Sequence, residues 1–125
     1  MSTPGNTAAA VTFLDTAALV SEGGKQGGVC WGGASDDLNV TLVSWPGGSA
    51  GVAPHVNHEV DVLLVAVEGA GEVIVDGQAF PVAAGQAVLI PKGRERTIQS
   101  TSERFGYLSI HRRRPGVQLT VGRKG

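Results

Sequence analysis

Residues 85–100 read Gly85-Gln-Ala-Val-Leu-Ile-Pro91-Lys-Gly93-Arg-Glu-Arg96-Thr-Ile-Gln-Ser100. Gln86 to Ile90 has the length and apolar character of a short strand, opened by Gly85 and closed by Pro91, which cannot donate to a ladder. Pro91-Lys92-Gly93 is a turn, and Arg96 to Ser100 resumes an alternating pattern. Upstream lies Pro54-His55-Val-Asn57-His58-Glu59-Val-Asp61-Val-Leu-Leu-Val-Ala-Val-Glu-Gly69-Ala-Gly71. Here a polar cluster precedes Val60 to Val67, whose β-branched and leucine content fits a strand covered on both faces. Gly69 to Gly71 interrupts that run.

Working outward, Glu72 to Val75 and Gln78 to Val82 flank Asp76-Gly77, the preferred two-residue hairpin turn because both positions tolerate positive φ. Leu38 to Trp45 alternates and ends at Pro46-Gly47-Gly48. Val29 to Trp31, Arg104 to His111 and Val117 to Val121 complete eight or nine expected strands. Asp15 can cap a helical turn through Ala17, Ala18 and Leu19, with Gly23-Gly24 ending it. Met1 to Ala10 reads as a loose tail, and 11–125 as one domain. Turns every eight to twelve residues predict an all-β antiparallel sandwich or barrel.

Composition agrees and narrows the partners. A chain of 125 residues with 19 glycines suits one turn-rich domain. Cys30 is alone, so no internal disulfide can form, and a small buried hydrophobe is its expected role. No apolar run reaches membrane-spanning length and no secretory leader is evident, which predicts no membrane partner and a cytoplasmic protein. Before Lys92 one basic residue faces nine acidic ones; from Lys92 onward nine basic residues face two acidic ones. The simple expectation is that the two halves interleave and neutralise each other. Arg112-Arg113-Arg114 then reads as a solvated strand end. Without aromatic platforms or a recognition helix, no nucleic-acid partner is expected.

The stretches 55–71 and 85–100 resemble the two motifs of the cupin family, G-x5-H-x-H-x3-4-E-x6-G and G-x5-P-x-G-x2-H-x3-N, with the Asp76-Gly77 hairpin between them. The resemblance implies a cupin-type antiparallel β-barrel (a double-stranded β-helix or jelly roll) with a ligand cavity at its mouth. Metal-binding members place two histidines, a glutamate and a third histidine in these motifs. In this sequence those positions fall on His55, Asn57, Val62 and Arg96, and the motif's asparagine falls on Ser100. One ligand of four matches, and a guanidinium has no lone pair to give a metal.

The site expected from this reading is therefore one for a small polar or anionic organic ligand. If the protein is an enzyme, metal-independent isomerase, cyclase or lyase chemistry is expected, in which His55 or Glu59 would move the proton and Arg96 would steady negative charge. Asn57, Asp61, Arg94, Ser100 and His111 are the expected ligand contacts. An inward Arg96 would be neutralised by Glu59 or Asp61 in the empty protein, or by a bound anion. A metal-dependent oxygenase or hydrolase is the alternative, with His55, His58 and a carboxylate holding a divalent transition metal. On a regular strand His55 and His58 would face opposite sides, so that alternative asks for a bulge. A non-catalytic sensor or storage barrel is a third reading. Trp31, Trp45, Phe80, Phe105 and Tyr107 are expected in the core or at a homodimer interface, with Val29 to Trp31 or Val117 to Val121 contributing to the dimer.

Overall fold

A computed structural model describes residues 11–22, 27–48 and 52–113. It contains one short helix, α1 (Thr16–Glu22), followed by β1 (Gly28–Ala34), β2 (Leu38–Pro46), β3 (Val52–Val56), β4 (Val62–Val75), β5 (Gln78–Ala83), β6 (Ala87–Ile90) and β7 (Glu95–Arg112). Asp15 caps α1 as expected, its Oδ1 accepting the Ala18 N–H at 3.1 Å. The segments Met1 to Ala10 and Val117 to Val121 lie outside the described residues.

Every strand pairing is antiparallel. The sheet runs β1-β2-β7-β4-β5, with β3 added to β7 and β6 added to β4. The two long strands organise this order because each belongs to two layers. The first half of β4 and the second half of β7 pair together and carry β6 and β2 on their outer sides. The second half of β4 and the first half of β7 carry β5 and β3. Side chains of both layers meet in one core: Val43, Leu64, Ala66, Phe105 and Tyr107 from one, Val73, Val75, Val82 and Ile98 from the other. The result is an antiparallel barrel, the all-β class that the sequence pattern predicts.

Three sequence expectations need correction. Gly69 to Gly71 bends a strand instead of ending it, so Val60 to Val67 and Glu72 to Val75 merge into β4. Arg96 to Ser100 and Arg104 to His111 likewise merge into β7, which leaves seven strands among the described residues. The run after Val60 is not covered on both faces either: Val62 and Leu64 are buried, whereas Leu63 is 37% exposed. Finally, His55 lies in β3, a segment to which the sequence pattern assigned no strand. Its Pro54 is tolerated because β3 is a short strand paired, among the described residues, only to β7.

The bend in β4 is enforced by contact. Gly69 has φ 65°, and a Cβ there would lie 1.8 Å from the carbonyl oxygen of Arg104. The Ser102 hydroxyl accepts the Ala70 N–H at 2.9 Å and donates to that Arg104 carbonyl at 2.7 Å, joining the bends of both strands. The Asp76-Gly77 turn has φ 48° and 86°, the two positive values that a type I′ hairpin requires. Asp76 also ties this hairpin to the start of β7: its carboxylate accepts from the Arg94 guanidinium and, at 2.9 Å, from the Glu95 N–H. These bonds, the Arg94 bond foremost, hold its carboxyl below the ordinary 3.8.

Cys30 is half-buried, short of the full burial expected. Burial pushes its thiol up while Arg104 opposes the shift. Phe105 is fully buried as expected, but Phe80 is 37% exposed on β5. Among the described residues, no helix is long and apolar enough to cross a membrane.

Two glycine substitutions separate backbone strain from collision. At Gly77 a Cβ meets nothing within 4 Å, so Gly77→Val should cost only the conformational strain, ~1 kcal/mol or more in urea denaturation. Gly69→Ala adds a backbone clash and should cost ~3 kcal/mol or more. Equal losses would mean that the bend is not held as described. The Asp76 carboxylate supplies a pH test. Its lowered folded-state pKa contributes stability above 3.8 that is lost as pH falls through the folded-state value. The gap in urea midpoint between wild type and Asp76→Asn, present at neutral pH, should therefore shrink below about pH 4.

Candidate functional site

Arg96 opens the inward-facing series of β7. Arg96, Ile98 and Ser100 alternate inward at 9%, 3% and 7% exposure. Beyond the bend the inward series resumes at Phe105 and Tyr107, and continues to Ser109 and His111. On the neighbouring strand His55 stands directly opposite Arg96. The β3–β4 loop closes over them. Asn57 Oδ1 accepts the N–H groups of Glu59 and Val60 at 3.1 and 3.2 Å, a turn its short side chain is suited to make. Its carbonyl accepts the Gly93 N–H at 2.8 Å, which fixes the loop to the β6–β7 turn. Val60, 2% exposed, anchors the loop from beneath.

These elements border two adjoining chambers, both open to solvent. The outer one, about 470 Å³, is bordered by His55, Asn57, His58, Glu59, Arg96, Ser109 and His111 together with Val56. The inner one, about 180 Å³, continues from His55, Arg96 and Ser109 to Tyr107 and Thr41, between apolar walls of Val43, Val62, Leu64 and Ile98. A cavity of this size with few convergent polar groups has the character of a small-ligand site.

The protonation states follow from hydrogen bonds. His55 Nδ1 lies 3.2 Å from the Ala53 carbonyl, and His111 Nδ1 lies 2.8 Å from that of Arg112. A carbonyl only accepts, so Nδ1 carries the proton in each neutral ring and Nε2 is the basic nitrogen. Burial pushes the Tyr107 phenol up, and the Trp45 hydrogen bond and the Arg96 charge pull against it.

The expected site residues divide clearly. His55, Asn57, Glu59, Arg96 and His111 border the chambers, and so does His58. His58 needs no bulge, because β3 ends at Val56 and strand alternation no longer applies beyond it. Asp61, Arg94 and Ser100 lie outside both chambers. Asp61 is exposed and its Oδ1 accepts the Lys92 N–H at 2.9 Å. Arg94 pairs with Asp76 at the hairpin, and Ser100 donates to the Ser102 carbonyl at 2.9 Å. Thr41, Tyr107 and Ser109 are lining residues that the sequence reading did not assign to the site. Period-two alternation back from His111 gives Ser109 and Tyr107, so the signal for those two was present.

The family's usual metal was tested against these side chains. The second-motif position holds a buried guanidinium and the glutamate position holds Val62, 2% exposed. Among the described residues, no group of three or more His, Cys, Asp or Glu side chains converges to hold an ion. The donor set does not fit that metal site.

Comparison with known proteins places the fold. KdgF from Halomonas sp. superposes with a TM-score of 0.61 at 22% identity, over 68% of this chain and 77% of that one. A cupin-2 domain protein from Shewanella frigidimarina gives 0.64 at 20% identity, over 80% and 94%. A predicted oxalate decarboxylase from Thermotoga maritima gives 0.57 at 19% identity, over 62% and 67%. No curated protein matches the sequence. The cupin domain family matches residues 41–111, more than half of the chain and the span that contributes every chamber-lining residue. The chain therefore belongs to the cupin family.

Proposed function

We propose that the barrel binds a small polar or anionic organic molecule, with Arg96 as its charged anchor. The observation that carries this reading is a guanidinium, 9% exposed, bordering both chambers at a position where the family uses a metal ligand. A guanidinium presents its N–H donors in a fixed fork, and a carboxylate or phosphate accepts two of them side by side. A ligand held there spans from the apolar inner chamber to the histidines of the outer one. His55 Nε2, across the strand from Arg96, is the base for a proton on the ligand carbon next to the anchored group, and Glu59 is the second acid–base group at the mouth. The guanidinium balances the negative charge that this removal creates. Isomerisation, cyclisation and elimination all share that step.

Calorimetric titration with a panel of small carboxylates and phosphates should find at least one saturable ligand. Arg96→Met should weaken it by about 100-fold, the worth of a charged, two-pronged contact. Elemental analysis of protein purified without chelator should give less than about a tenth of an equivalent of transition metal, far below the full occupancy of a catalytic metal site. Arg96→His should raise that value little, because Val62 still withholds the carboxylate. A stoichiometric metal in wild type would overturn the anion reading in favour of the metal-dependent one.

We also infer a homodimer through β1. Among the described residues it stands at the edge of the sheet, where Val29, 69% exposed, faces outward. Light scattering should give twice the 12.8 kDa chain mass at micromolar concentration. A value at the chain mass would rule the dimer out.

A further inference from the structure

Tyr107 is the chain's only tyrosine, and anchoring by Arg96 leaves it without a role. It is 2% exposed, its ring tilted against Phe105 with centroids 5.2 Å apart, and it lines the inner chamber with Arg96 and Ser109. Trp45 Nε1 lies 3.2 Å from its oxygen. An indole N–H only donates, so the phenol oxygen is the acceptor in that bond and its own proton remains for another partner. Burial keeps the phenol neutral at ordinary pH, so that proton is present.

The inner chamber also limits what can occupy it. Among the described residues, Arg96 is the one permanently charged group on its lining, and Val43, Val62, Leu64 and Ile98 are its apolar walls. One guanidinium balances one negative charge. A phosphate dianion would bring a second charge into apolar surroundings, which burial penalises heavily. A carboxylate brings one charge and two oxygens, and about 180 Å³ has room for it.

We propose that Tyr107 is a ligand-binding residue: its phenol O–H and the Arg96 guanidinium hold the carboxylate of a small organic acid in the inner chamber. Trp45 is the positioning residue that fixes the phenol. The remainder of the acid extends past His55 into the outer chamber. This assignment rests on the anion reading of Arg96 and adds to it the class of ligand and the second contact.

Acetate, benzoate and inorganic phosphate at matched ionic strength are the probes. Calorimetry should find saturable binding of a carboxylate in preference to phosphate. Tyr107→Phe, which keeps the ring and removes the hydroxyl, should weaken that binding about tenfold or more. Trp45→Phe should weaken it by a smaller factor. Because Tyr107 is the sole tyrosine, tyrosinate absorbance reports it alone in the unaltered chain, and saturating carboxylate should move its ionisation to higher pH. That absorbance titration decides the matter if Tyr107→Phe fails to fold. Carboxylate binding abolished by Arg96→Met but changed less than twofold by Tyr107→Phe, with tyrosine ionisation unmoved, would overturn the Tyr107 assignment and leave the Arg96 reading standing. Phosphate preferred over both carboxylates would overturn the ligand class. No binding of any probe would remove the Arg96 reading and this assignment with it.

Discussion

The bend shared by β4 and β7 is the constraint on which both barrel and cavity depend. Each strand must leave one layer and enter the other without losing its partner, and Gly69 is where the approach is tightest. Only a hydrogen fits between its Cα and the Arg104 carbonyl, and the Ser102 hydroxyl links the two strands there. Gly71 takes up the same pressure on its other side, where a Cβ would lie 2.3 Å from the Phe105 ring. The bend has a consequence for chemistry. Arg96 and Tyr107 belong to one strand but to different layers, and they line the same chamber only because β7 folds across the barrel. A straight β7 would separate the guanidinium from the phenol.

That chamber exchanges one kind of electrostatics for another. A metal site concentrates positive charge at a point and asks for lone pairs around it. In this barrel a guanidinium stands at the chamber wall, and around it lie the hydroxyls of Tyr107, Ser109 and Thr41, the His55 imidazole and the hydrocarbon of Val62 and Leu64. His55 and His111 each place Nδ1 against a backbone carbonyl, which leaves Nε2 as the accepting atom of the neutral ring.

How much of this was readable in the sequence depended on the range of the interactions involved. The Asp76-Gly77 hairpin was legible because its two positive φ values are set within the turn itself. The helix cap at Asp15 was legible for the same reason. The inward position of Arg96 came from the register of a resembled motif, and the burial of its alternate neighbours Ile98 and Ser100 agrees with it. Strand β3 was hidden because Pro54 and the polar residues after it carry no strand signal, and its only partner is distant in sequence. The fusion of two short segments into β4 was hidden because Gly69 and Gly71 read locally as breaks. Asp61 and Arg94 look like site residues in a list of polar side chains, yet each is used to pin a turn. Tyr107 is an inward aromatic in either reading, but only the bend brings its hydroxyl to the cavity.

The charge asymmetry along the chain has its explanation in the same pairing. Among the described residues, the basic side chains of the second half do not gather into one patch, because β7 is laid between strands of the acidic first half. Arg94 bonds Asp76, Arg104 donates to the Ser44 hydroxyl at 3.0 Å, and Arg113 donates to the Ser35 carbonyl at 3.0 Å. Arg112 reaches the Glu59 carbonyl at 3.5 Å. Each of these arginines is used to join β7 to a strand or loop that precedes it, and none borders either chamber. Arg96 differs by position alone: period-two alternation turns it inward, whereas its neighbours at 95 and 97 are turned away from the core. One residue's parity on one strand therefore determines that the cavity, in a chain of nearly balanced charge, presents a cation to whatever enters it.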